Sequence, residues 1–142
     1  MNKGVDMINE DTKTFLKFNS EGMDQYQIFK SCREKAIEAL DIWLNDWRKN
    51  TGGNKYDEPM YCGFANVKIK PAKGKFVKFL KECGIGGSHT YGGYRVSYHE
   101  LVGKLHPKAR TQSMDLKEVA CDAFANELKK YGITVFSESR AD

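Results

Sequence analysis

Residues 24–48, DQYQIFKSCREKAIEALDIWLNDWR, constrain this chain more than any other stretch. Phe29, Cys32, Ala36, Leu40, Trp43 and Trp47 recur at spacings of three and four, which lays one apolar stripe along an α-helix. Ile28, Ile37 and Leu44 widen that stripe beyond a narrow seam. A face this broad has to be covered, so the rest of the chain must supply a layer to pack on it. Asp24 stands where it can cap the helix start, and TGGN (51–54) ends it with paired glycines. A helix of about 25 residues runs ~37 Å, longer than a domain of 142 residues needs. Either part of the stripe packs on a second copy of the chain, or the helix crosses a sheet and frays at one end.

The covering layer reads as a small sheet. In MYCGFANVKIK (60–70), Phe64, Asn66, Lys68 and Lys70 fall on one strand face, and Ala65, Val67 and Ile69 on the other. Pro71 stops the strand. KGKFVKFLKECG (73–84) comes next as a short helix, with Phe76, Val77, Phe79, Leu80 and Cys83 inward and Gly84 at its end. GIGGSHTYGGYRVSYH (84–99) holds five glycines among aromatic and imidazole rings. It lacks both GxxxxGK[ST] and the third glycine of a dinucleotide fingerprint, so a hairpin is preferred over a phosphate loop. Its strand lies around Tyr94–Tyr98, and residues 100–113 read as loop.

Asp115 to Tyr131 is the last long helix. An Asp115/Glu118 pair is expected to cap it, with Leu116, Val119, Ala120, Ala123, Phe124 and Leu128 on its core face. Gly132 closes it, and ITVFSES (133–139) is the final strand. The order predicts an α+β domain: a small, mainly antiparallel sheet packed by a long N-terminal helix and a C-terminal helix. Residues 1–22 read as a polar arm, and 23–142 as a single domain.

Hydrophobic content of 40% and charged content of 30% suit one soluble globular unit. No apolar run approaches the ~20 residues of a membrane span, and MNKGVDMINEDTKTF has no apolar signal region. Cys32, Cys62, Cys83 and Cys121 are scattered without a CxxC pair, and His89, His99 and His106 are not spaced like zinc ligands. Free thiols in a reducing cytoplasm, no metal and no cofactor are the expectation.

Charge is segregated. Between Pro59 and Met114 ten cations face only Glu82 and Glu100, so that segment is +8 and the remainder −4. Such a field favours a polyanionic partner, although a solvated lysine face would look the same. Within HPKARTQSMDLKE (106–118), Lys108, Arg110, Thr111, Gln112 and Ser113 stand before a helix start with no acid among them, a set that suits an anion. His89, Tyr91, Tyr94 and Tyr98, near Arg95, offer ring faces for stacking. There is no GxSxG elbow and no evident pair of carboxylates, so binding is preferred over catalysis.

The long Trp-bearing helix, GFANVKIKPAKGKFVKFLKECGI, the YGGY turn and ARTQSMD…AFANEL…GI…SRAD resemble phage-encoded proteins of the Thoeris anti-defence family, first type, over roughly residues 24–142. The resemblance implies a sponge acting in the host bacterial cytoplasm. Members bind cyclic ADP-ribose isomers made by bacterial TIR-domain immune enzymes, chiefly the glycocyclic form, and hold them intact. Some also bind the cyclic di- or trinucleotides of a second immune system, CBASS, at separate sites within a hexamer built from dimers. They are not enzymes and need no metal or membrane.

From the chemistry of this chain's own side chains, Arg110 and Thr111, with Gln112 and Lys108, are expected to hold the cyclic oligonucleotide. Phe64, Asn66, Phe76, Tyr94 and Arg95 are expected to hold the cyclic ADP-ribose isomer. Two other readings use the same surface. A sequence-tolerant single-stranded DNA- or RNA-binding protein ranks second, and a phosphodiesterase that degrades the same signals ranks third.

Overall fold

The computed structural model describes residues 20–54 and 57–142, with side chains from Asp24 onward. The polar arm expected at 1–22 therefore lies outside the described residues, except at its end, where a helix has already begun. That helix, α1 (Ser20–Thr51), is succeeded by β1 (Gly63–Ile69), α2 (Lys75–Glu82), β2 (Gly87–Ser88) and β3 (Tyr94–Ser97). Then come α3 (Tyr98–Val102), α4 (Met114–Lys129) and β4 (Val135–Ala141). The strands form one antiparallel sheet in the order β2-β3-β1-β4. This is the α+β architecture expected, a four-stranded sheet packed by an N-terminal and a C-terminal helix.

Burial obeys the sequence periods. Along β1, Ala65, Val67 and Ile69 are buried while Phe64, Asn66 and Lys68 reach the other face. Tyr94 and Val96 of β3 and Val135 of β4 join the inward set. On α1 the fully covered stripe is Phe29, Cys32, Ala36, Leu40 and Leu44; Trp43 and Trp47 sit half-buried at its margin. Phe29 meets Phe124 of α4 edge-on, with centroids 5.7 Å apart, and Phe79 of α2 at 6.2 Å. These rings tie the three helices into one core. Most of the α1 stripe is thus covered by the chain's own helices.

Arg33, on the same helix, is fully buried. Its Nε donates to the carbonyl of Leu101 at 2.9 Å and its Nη2 to that of Glu100 at 2.6 Å. Both are carbonyls of the last turn of α3, which have no partner within that helix. The guanidinium also lies 4.7 Å from the Phe29 ring centroid. Arg33 therefore fixes α3 to α1.

Several boundaries differ from the sequence reading, each for a local reason. Asp24 is not a cap, because α1 starts four residues earlier, at Ser20. The Asp115/Glu118 pair does not cap α4 either: Ser113, in an extended conformation, accepts the Leu116 N–H, and Glu118 instead receives the Ser139 hydroxyl at 2.6 Å. Residues 100–113 are not all loop. Ser97 and Glu100 form a reciprocal capping box that starts α3. The final strand runs 135–141 rather than 133–139, since its ladder pairs Val135 with Ile69 and Ala141 with Gly63. The glycine-rich stretch is the expected hairpin, closed by the His89 N–H on the Gly93 carbonyl at 3.0 Å.

Gly63 sets how closely α4 approaches the sheet. A Cβ there would stand 2.6 Å from Met114 Sδ and 2.7 Å from the Arg140 carbonyl. Its absence lets the start of α4 close onto the beginning of β1, where the Gly63 N–H donates to the Gln112 carbonyl at 3.2 Å.

Candidate functional site

A cleft of about 900 Å³ opens between the outward face of the sheet and the segment 97–112. Strand alternation builds its floor. Asn66 pairs with Ser97 across β1 and β3, so Phe64, Asn66, Arg95 and Ser97 share the face turned away from the core. Tyr98, His99 and Glu100 of α3 form one wall, Lys104 and Ala109–Gln112 another, and Lys117 of α4 completes the lining.

The loop wall is held by hydrogen bonds both local and distant in sequence. The Tyr98 hydroxyl donates to the Lys108 carbonyl at 2.7 Å, and the Lys108 N–H donates to His106 Nδ1 at 3.0 Å. Glu58 is the acid that the local sequence lacked: it takes the Lys108 ammonium at 3.1 Å and the Thr111 hydroxyl. Thr111 Oγ1 in turn accepts the Ser113 N–H at 3.1 Å. Lys108 and Thr111 are therefore committed to the loop, whereas Arg110 and Gln112 are exposed and line the cleft.

Among the described residues the lining holds one carboxylate, Glu100, and its oxygens are occupied. They accept the Gly86 N–H at 2.7 Å, the Ser97 N–H at 3.2 Å and the Ser97 hydroxyl at 2.8 Å. Beside the floor, Glu138 of β4 accepts from the Asn66 amide at 2.9 Å and lies 3.3 Å from Arg95 Nε and 3.7 Å from Lys68. Burial opposes ionisation of Glu138. The Asn66 hydrogen bond and the charges of Arg95 and Lys68 outweigh it and hold the carboxyl below its ordinary range. The cleft keeps an excess of positive charge from Lys104, Arg110 and Lys117.

Of the residues expected to hold a cyclic ADP-ribose isomer, Phe64, Asn66 and Arg95 line this cleft. Phe76 and Tyr94 do not. Phe76 is 4% exposed and packs on Phe79, and Tyr94 is 2% exposed with its hydroxyl donating to the Ile85 carbonyl at 2.5 Å. An apolar ring on the inward period of its element goes to the core. Of the residues expected to hold an oligonucleotide, Arg110, Thr111 and Gln112 line the same cleft, and Lys108 turns to Glu58. Two sets chosen separately thus meet in one place.

Ser97, His99, Lys104 and Lys117 also line the cleft and were not foreseen. For Lys117 a signal existed: with Cys121, Phe124 and Leu128 it falls on the buried stripe of α4, where a lysine is out of place. Chemically, the cleft offers one exposed ring, two amides, several cations and an imidazole, with His99 Nδ1 3.2 Å from Ser97 Oγ. Among the described residues, no helix is long and apolar enough to cross a membrane and no cluster of His, Cys, Asp or Glu could hold a metal ion. No protein-family model matches this chain, and no curated protein or solved structure does.

Proposed function

We propose that this chain binds small cyclic nucleotide signals and sequesters them without cleaving them, as the resemblance to the first-type Thoeris anti-defence family implies. The observation that carries this reading is the cleft itself, which gathers Phe64, Asn66, Arg95, Arg110 and Gln112 on one surface of about 900 Å³. That volume is at the upper end of the ~300–1,000 Å³ typical of small-molecule sites. Phe64, 53% exposed, presents a ring on which a base can stack. Arg110 supplies a planar fork for phosphate oxygens, and Asn66 and Gln112 supply amides for base or ribose. Occupation of Glu100 by three donors leaves it poorly placed to act as a general base, which supports holding over hydrolysis.

The ligand class in this reading is the cyclic ADP-ribose isomers, the glycocyclic form first, with cyclic di- or trinucleotides as further ligands. Its setting is the cytoplasm of an infected bacterium, and self-association into dimers and a hexamer belongs to the same proposal. Calorimetry with glycocyclic ADP-ribose and with a cyclic trinucleotide tests it. Affinity in or below the micromolar range is expected for at least one, with the ligand recovered unchanged after heat denaturation. No binding of either sinks the reading, and a linearised product turns it into a phosphodiesterase. Native mass spectrometry of protein from signal-producing cells reports subunit count and bound ligand together.

A second reading, single-stranded DNA or RNA binding, is favoured by a shallower hollow of about 410 Å³ lined by Lys73, Lys75, Lys78 and Lys81 on and before α2. Polymer binding would weaken steeply with salt, in proportion to the phosphates contacted. A compact cyclic ligand gives a much shallower slope.

A further inference from the structure

Lys117 is 9% exposed, yet it lines the cleft. Its ammonium makes one hydrogen bond, to the Gly63 carbonyl at 2.7 Å, and stands 5.2 Å from the Phe64 ring centroid. Among the described residues, no carboxylate lies within 4.0 Å of it. Its position adds to the imbalance. Lys117 is the fourth residue of α4, at the positive end of the helix dipole, where a cation is disfavoured. The Arg140 guanidinium of β4 approaches the same ring to 5.7 Å. A buried ammonium needs both hydrogen bonds and an opposite charge to offset its desolvation. One carbonyl and one ring face supply only part of that.

We propose that Lys117 is the anion-binding residue of the cleft, taking a phosphate oxygen of a ligand whose ring rests on Phe64. The assignment rests on reading the cleft as a nucleotide site and adds where the phosphate goes. The ammonium donates its remaining N–H groups to the phosphate, which supplies the charge that the protein withholds. The short reach from Lys117 to the Phe64 ring fixes the distance from phosphate to stacked ring. The arrangement discriminates: a nucleoside without phosphate leaves Lys117 as it is and gains little.

The test compares wild type with Lys117→Gln and Lys117→Met, titrating inorganic pyrophosphate and glycocyclic ADP-ribose and recording Tm. Both variants should bind pyrophosphate about 30-fold more weakly, the factor one charge-assisted hydrogen bond supplies, while Tm stays level or rises. Pyrophosphate affinity unchanged in either folded variant overturns the assignment, and so does a wild type that binds no pyrophosphate. A fall in Tm accompanying the loss in both variants also overturns it, since the lysine would then serve the fold. If wild type binds pyrophosphate through Lys117 but no cyclic nucleotide, the subsite stands and the wider reading of the cleft fails. If cyclic nucleotide binds equally to all three proteins, the reading stands and the subsite fails.

Discussion

Two buried cations, Arg33 in the helical core and Lys117 in the lining of the cleft, show how differently one fold can treat the same charge. Arg33 sits at the C-terminal turn of α3, where its guanidinium meets the carbonyls of Glu100 and Leu101 and lies against Phe29. Each of these interactions favours the folded state. Lys117 sits at an N-terminal turn with one carbonyl and one ring face. Burial alone does not say whether a charge holds a protein together. The partners do: a cation held by several groups of the fold is structural, and one held by few is available to a ligand.

Arg33 puts this contrast at greatest risk. Replacing it with Met leaves two buried carbonyls unsatisfied and should cost about 3 kcal/mol, read as a lower urea midpoint with little change in slope. A loss below about 1 kcal/mol would erase the difference from Lys117. Ligand binding should fall as well, because α3 forms a wall of the cleft.

Arg110 extends the ligand-facing side of the contrast. Arg110→Ala should weaken cyclic trinucleotide binding by about 30-fold, near 2 kcal/mol, without lowering Tm, since the side chain is exposed. An unchanged calorimetric isotherm would remove the loop from the site.

Tyr94 belongs with Arg33. Tyr94→Phe keeps the ring and strands the Ile85 carbonyl, which should cost about 1 kcal/mol and leave affinity alone. A weaker isotherm with unaltered stability would return Tyr94 to the site.

The smallest effect concerns Glu138, the anion between the floor cations. Its folded carboxyl is held below the ordinary value of 4.5. It therefore contributes stability above that value and loses it as pH falls through the lower, folded value. Below pH 4.5, wild type should lose stability more steeply than Glu138→Gln. Parallel acid-unfolding curves would show that Asn66, Arg95 and Lys68 do not hold the carboxylate in solution.

Much of the fold was legible because burial is periodic. Phe29, Cys32, Ala36 and Leu40 at helical spacing, and Ala65, Val67 and Ile69 at strand spacing, state which faces go inward. The errors came where one residue type serves two ends. Asp115 and Glu118 have the form of a cap, but Ser113 reached the Leu116 N–H first. Phe76 and Tyr94 have the form of stacking platforms, but they fall on inward positions and are consumed by the core.

The segment HPKARTQSMDLKE condenses the division. Its sequence alone determined that cations and hydrogen-bonding side chains stand before a helix. Only the tertiary structure brought Glu58 onto Lys108 and Thr111 and left Arg110 and Gln112 facing the cleft. It also carried Lys117, from inside the next helix, into the lining of that cleft. The reason is range. Periodicity is a property of neighbours along the chain, whereas the pairing of a charge depends on what folding brings beside it from fifty residues away.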